Sequence, residues 1–266
     1  MTEREPGRLL SLFVWTMCVF LLAPVVIVCV LAFGGSGYLQ FPPSSYSFRW
    51  FEAFFGDTRW QQSLLASTLI ALTACAIATS IGFLASYGLV RGRTRIKKLI
   101  LSFMLTPIIV PTVITAIAMY FLTAKIGLIG NVVWIGACHA IVALPVVLLI
   151  LVAALQGVDV NLERAALSLG ASRARVFLRI VLPLALPGVL SAALFAFLAS
   201  FDELVISLFL AGVRAQTLPV RIWNSLHMEI EPVVAAAAAF LIGVTGVVLL
   251  VDAGLRRTRT NAAVRR

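Results

Sequence analysis

Several stretches of this chain run without charge for longer than a helix needs to cross a bilayer, about 20 residues. From residue 9 up to Arg49, and again over 61–90, 99–124 and 126–158, there is no Asp, Glu, Lys or Arg. Two further apolar stretches cover 180–201 and 232–251. A water-exposed surface cannot absorb so much apolar area, and 61% hydrophobic against 12% charged residues leaves a soluble enzyme or a disordered chain no room. Spans are expected at 9–33, 63–90, 99–124, 132–156, 182–203 and 232–252. The first is too long for a signal-peptide core and no cleavage site of small residues follows it, so it reads as a retained helix.

The basic residues orient these spans. With the N-terminus inside, 16 of the 21 Lys and Arg fall in inner segments, among them Arg91, Arg93, Arg95, Lys97, Lys98, Arg164, Arg173, Arg175 and Arg179. Arg49, Arg59, Lys125, Arg214 and Arg221 remain outside, while the acids divide almost evenly. This asymmetry is the one that holds basic loops in the cytoplasm. The fold class expected is an all-α integral membrane protein of six transmembrane helices, both termini cytoplasmic. Its parts are a tail at 1–8, the first helix at 9–33, a periplasmic loop at 34–62, a five-helix core at 63–252 and a basic tail at 253–266. Because the basic residues are spread over short loops with no aromatic-interleaved patch, nucleic acid is not an expected partner; the lipid bilayer is.

Catalytic and cofactor signatures are missing. Cys18, Cys29, Cys75 and Cys138 lie in apolar runs as small fillers, and no disulfide is expected. Of the two histidines, His139 reads as a buried, hydrogen-bonded side chain in span four and His227 as a solvated one. There is no phosphate-binding loop and no metal-binding helix motif, so neither a metal nor a nucleotide is expected on this chain. Ala78, Gly82 and Ser86 share a helix face in span two, and Ala235 begins an alanine run in span six. Small residues at that spacing serve either packing within the bundle or a seam with a second membrane subunit. Residues 217–230 suggest a short outer helix, with Leu218, Ile222 and Leu226 on one face and Arg221, Asn224 and His227 on another.

The inner segment VDVNLERAALSLGASRARVFLRIVLPLALPG, residues 158–188, carries the most information. Leu162, Ala165, Ala166 and Leu169 recur on one helical face; Asp159 or Asn161 can cap its start, and Gly170 suits its end. Ser172 can cap a second helix through Arg173, Arg175 and Arg179, with Pro183 and Pro187 at the entry to span five. This helix–glycine–helix elbow has an apolar face that either lipid headgroups or a partner's groove could cover.

The same segment resembles the signature loop of type I ABC-transporter permeases: EAA, three residues, G, nine residues, then I-x-L-P. Ala165, Ala166, Gly170, Ile180, Leu182 and Pro183 fall at matching positions; Arg164 stands where the family has glutamate, with Glu163 one residue earlier. FRWFEAFFGDTRWQQSLLAST (48–68) looks like the family's outer entry segment, and residues 136–145, which include His139, resemble its fourth span. SFDELVISLFLAG (200–212), followed by TLPVRIW (217–223), is similar to the spermidine/putrescine permease subfamily, a pattern shared by importers of opines, aminoethylphosphonate and other small amines. The resemblance implies a type I ABC importer permease, a non-catalytic membrane subunit in the bacterial inner membrane. Its implied partners are a second permease subunit, a dimer of ATP-binding subunits holding ATP and Mg, and a periplasmic solute-binding protein. It further implies that the loop 157–182, with Glu163, Arg164, Ala165, Ala166, Gly170, Ile180, Leu182 and Pro183, couples to the ATPase. Asp202 and Glu203 end an otherwise uncharged span, where ionised groups are costly unless a wet cavity or a partner receives them. Together with Phe195, which can share their helix face, they are the expected substrate-path residues for a small cation; the alternative is that both acids merely end the helix at the interface or pair with Arg214 or Arg221. A self-contained secondary carrier is the rival class, but spans one to four contain none of the midplane ionisable groups such proteins use.

Overall fold

The computed structural model describes residues 8–264 except 94, 229 and 230, with residues 8, 228 and 255–264 described by backbone alone. The side chains of both terminal tails, including Arg4, Arg256 and Arg266, therefore lie outside the described residues, as does residue 230 of the expected outer helix. In chain order the helices are α1 (Arg8–Ala32), α2 (Arg49–Gly56), α3 (Thr58–Arg91), α4 (Lys97–Ile109), α5 (Thr112–Lys125), α6 (Val132–Gln156), α7 (Val160–Ser168), α8 (Arg173–Val176), α9 (Leu182–Phe201), α10 (Val205–Leu210), α11 (Leu218–Met228) and α12 (Val233–Val264). Among the described residues the extended pairing is a single bridge, Gly34 with Tyr46.

Five helical stretches are long and apolar enough to cross a membrane: Leu9–Ala32, Thr58–Arg91, Val132–Gln156, Arg173–Phe201 and Val233–Gly254. The expected third span, 99–124, is instead the pair α4 and α5, bent by 97°. The bend follows from Pro107 and Pro111. Proline disfavours helical geometry in the residue before it, and Val110 is extended at φ −75°, ψ 128°. Counted as one broken span, the pair makes six.

The chain divides into two compact units, Met1–Gln61 with Arg221–Val244, and Gln62–Val220 with Thr245–Arg266. The first is built on aromatic rings. Phe33 meets Phe48 and Phe51 at centroid distances of 5.4 and 5.1 Å, while Phe54 meets Trp60 and Phe240 at 5.6 and 5.4 Å. Asp57 accepts the Arg59 N–H at 2.7 Å as α3 begins. The Arg59 guanidinium, 2.9 Å from the same carboxylate, holds Asp57 below the usual carboxylate range. α11, eleven residues long, is too short to span; Leu218 on it is buried, whereas Leu226 and Trp223 are exposed.

The second unit is an alanine-rich bundle in which α6 packs against α9 and α4, and α10 against α5 and α6. Ala78, Gly82 and Ser86 are used inside this unit. Ala78 is fully buried, a Cβ on Gly82 would lie 2.8 Å from Val147, and the Ser86 hydroxyl donates to the Leu148 carbonyl. Gly136 of α6 is tighter still: a Cβ there would sit 2.6 Å from Thr73 Cβ and 2.9 Å from the Ile70 carbonyl oxygen. Backbone on α3 cannot swing aside as a long side chain can. Gly136→Ala is therefore expected to destabilise the fold by about 1–3 kcal/mol, read as a lower melting temperature in detergent. Gly243→Ala, where a Cβ would meet nothing within 4 Å, is expected to leave it unchanged or raise it slightly.

Candidate functional site

The elbow forms as its sequence suggests, with one inversion. The Asp159 carboxylate accepts the Asn161 N–H at 2.8 Å and starts α7. Gly170 ends it at φ +85°. The N–H groups of Gly170 and Ala171 return to the carbonyls of Leu167 and Ala166, both at 3.0 Å, which completes a Schellman turn. Ser172 Oγ then accepts the Arg175 N–H and opens α8. From there the chain stays helical into α9 through a wider π turn, Phe177–Val181, where the Leu182 N–H reaches back to Phe177. Pro183 has no N–H to offer Arg179, so the ordinary ladder cannot run through this point.

On α7 the apolar stripe is bare: Leu162 is 47% exposed and Leu169 89%, and Ala165 and Arg164 are exposed beside them. Ala166, Ile180 and Leu182 pack partly against the core, while Pro183 is exposed. Glu163 is the inversion. Instead of standing outside with Arg164 it turns inward, 7% exposed, where Arg91 at the end of α3 donates from Nε to its Oε1 at 2.7 Å. Arg91 Nη2 donates to the Val158 carbonyl, also at 2.7 Å. One guanidinium thus ties α7 and the segment leading into it to α3. Beneath it Phe177 meets Phe83 and Tyr87 edge-on at 5.6 and 5.1 Å. Arg91, Arg93, Glu163 and Arg173 border a cavity of about 830 Å³ at this end of the bundle.

The second cluster lies where α9 stops. His139 of α6, 2% exposed, is bonded through Nδ1 to Ser200 Oγ at 2.8 Å and through Nε2 to Ser207 Oγ at 3.2 Å. It is the buried, hydrogen-bonded histidine expected, and it fastens both sides of the break between α9 and α10. The Glu203 carboxylate accepts the N–H groups of Val205, Ile206 and Ser207 at 3.1, 2.8 and 3.3 Å and lies 3.7 Å from His139 Nε2. Glu203 thereby caps the start of α10, its oxygens engaged by backbone. Asp202 remains exposed. The Phe195 ring borders a small crevice with Ser191, Leu198 and, from α12, Leu249 and Asp252. Three features escaped the sequence. Arg91 was only an orienting charge, the partners of His139 stand 61 and 68 residues away, and Asp252 had no motif. Among the described residues no three His, Cys, Asp or Glu side chains converge as metal ligands.

Residues 78–260 match the family model described as binding-protein-dependent transport system inner membrane component. The chain belongs to that family. It is 30% identical over 230 residues to the spermidine/putrescine transport system permease protein PotC of Haemophilus influenzae, covering 86% of this chain and 89% of the relative. It is also 30% identical over 252 residues to the putrescine transport system permease protein PotI of Escherichia coli K12, covering 92% and 89%. Its fold is that of a chain in a bacterial ABC transporter involved in alginate import, with a TM-score of 0.71 at 12% identity over 94% of this chain and 95% of that one. This inner membrane component is thus a multi-pass permease subunit of the ABC importer type, working with a binding protein, and such subunits are non-catalytic.

The Arg91–Glu163 pair fixes α7 to α3. Arg91 and Glu163 side chains are only 16% and 10% exposed, so removing either strands a charge that water reaches poorly. Arg91→Leu and Glu163→Leu are each expected to lower stability by about 2–4 kcal/mol. The double replacement should cost at least 1 kcal/mol less than the two single losses combined, at the order of magnitude expected for contacting residues. Thermal unfolding of the four proteins in detergent measures the difference; strict additivity would mean that the pair does not act as a unit.

Proposed function

We propose that this chain forms half of the translocation path for a small cationic amine such as putrescine or spermidine, beside a second permease subunit. The elbow α7–α8 docks in a groove of an ATP-binding subunit, and that partner, holding ATP and Mg, performs the hydrolysis. Both termini and the elbow then face the cytoplasm, as the basic residues favour. The observation that carries this reading is the exposed Leu162 and Leu169 surface on a helix whose Glu163 face is fixed by a charge pair. A short helix so anchored presents apolar area in one direction and transmits force in another. Closure of the ATP-binding subunits displaces α7, and Arg91 carries the displacement into α3 while the helical run from α8 carries it into α9. Two packed arrangements of the bundle, each favoured by different ligands, then give alternating access.

The amine is supported by the two relatives, whose names specify spermidine and putrescine. Asp202, exposed at the end of α9, is the carboxylate that attracts the ammonium group; Glu203 supports it by fixing the break, and Phe195 lines the path lower down. Asp202→Asn keeps size and removes charge. It is expected to reduce putrescine uptake by proteoliposomes several-fold while subunits still co-purify; unchanged uptake would remove Asp202 from substrate selection.

The docking is tested at Gly170. No side chain would be obstructed there, since a Cβ would meet nothing within 4 Å, but φ +85° is barred to a β-branched residue. Gly170→Val is expected to leave the protein in the membrane, to lose the co-purifying ATP-binding subunit, and to abolish solute-stimulated ATP hydrolysis. Wild-type protein that never retains an ATP-binding subunit would overturn the reading.

A further inference from the structure

At the end of the bundle that bears the elbow, the tail of α3, the first turns of α4 and the tail of α6 enclose a cavity of about 350 Å³. Its walls are Leu89, Val90, Leu101 and Val152, and its polar rim is Lys97, Lys98 and Gln156. It contains two ammonium groups and no carboxylate, in contrast to the neighbouring cavity, where Glu163 offsets Arg91. The surface next to it is apolar and open: Leu99 and Phe103 of α4 are 68% and 78% exposed. Exposed apolar area of this kind at the end of a span suits acyl chains. The first residues of α4 are the two lysines, so its N-terminal dipole adds to their field.

We infer that this cavity binds the headgroup of an anionic phospholipid, the phosphate held by Lys97 and Lys98 and one acyl chain lying along Leu89, Leu101 and Val152. Each part of the lipid has its counterpart. Paired cations without an acid select a phosphodiester over a zwitterion of the same size, because a choline or ethanolamine nitrogen finds no acceptor carboxylate. The apolar wall selects a lipid over free phosphate, since an inorganic anion gains nothing from Leu89 or Val152. Basic pockets between spans at the membrane boundary bind such headgroups through this combination. The location gives the lipid a consequence. It bridges α4 to α3 two turns or less from Arg91, so a bound phosphodiester stiffens the frame against which the elbow pulls.

The test measures lipid rather than transport, so its outcome is independent of the substrate and of the ATPase reading. The permease in its assembled transporter is delipidated in detergent and titrated with dioleoylphosphatidylglycerol or dioleoylphosphatidylcholine, with bound lipid read by native mass spectrometry. The wild type is expected to prefer the anionic lipid. In Lys97→Gln/Lys98→Gln its affinity is expected to fall about 10–30-fold, with phosphatidylcholine unaffected. Leu101→Trp, which fills the groove and keeps both charges, is expected to weaken the same binding. Arg173→Gln/Arg175→Gln removes two basic residues outside the cavity and is expected to leave it intact. Equal loss in that control would reduce the effect to diffuse charge and overturn the site. Competition by millimolar inorganic phosphate with no effect of Leu101→Trp would overturn the lipid in favour of a free anion. An unchanged lipid preference in the lysine double variant would overturn the proposal outright.

Discussion

A bilayer interior offers no water, so every backbone N–H and C=O there must be satisfied by the protein itself. Unbroken helices meet this requirement automatically. What is informative in this chain is where the helices break and which groups then take over. At the α4–α5 bend the Pro111 carbonyl accepts the N–H groups of Ile114 and Thr115 at 3.0 and 3.2 Å. At the α9–α10 break a carboxylate does it: Glu203 collects three N–H groups, and His139 bonds a serine on each side. At the π turn the ladder only stretches, from Leu182 back to Phe177. Glu203, His139, Ser200 and Ser207 are thus spent on holding irregular backbone together at the α9–α10 break.

The same economy explains the elbow. A salt bridge shut away from water gives little net stability, because desolvating both ions costs nearly what their attraction returns. Its value is positional. Arg91 reaches Glu163 and the Val158 carbonyl at once, so α7 cannot drift along the surface without breaking two short hydrogen bonds. A rigid mount and a bare apolar face are what the proposed force-transmitting contact requires, Leu162 and Leu169 being the area such a contact would cover.

Much of this was legible in the residue order because it depends on local rules. The uncharged runs set the spans, and Asp159, Gly170 and Ser172 mark the ends of α7 and α8 by capping chemistry that acts over three or four residues. The bend after Ile109 was also written locally, in Pro107 and Pro111, but spans are judged by summed hydropathy, which a change of direction does not alter. The capping role of Glu203 was missed for a related reason. A carboxylate beside an apolar run attracts attention as a charge, whereas its spacing from Val205, Ile206 and Ser207 is that of a cap. The pairing of Arg91 with Glu163 spans 72 residues and leaves no local trace at all.

The π turn has a geometric consequence beyond hydrogen bonding. One extra residue in a turn is a phase shift, so side chains after Leu182 point about 100° away from where an uninterrupted helix begun at Ser172 would aim them. Arg173 and Arg175 consequently keep their orientation toward water while Ala185, Ala192 and Ala196 keep theirs toward the core, although all five ride on one rod. Length and direction are therefore interchangeable at this point. Shortening the turn by a single residue would leave the rod in place and rotate Phe195 and Asp202 together off the faces they now hold.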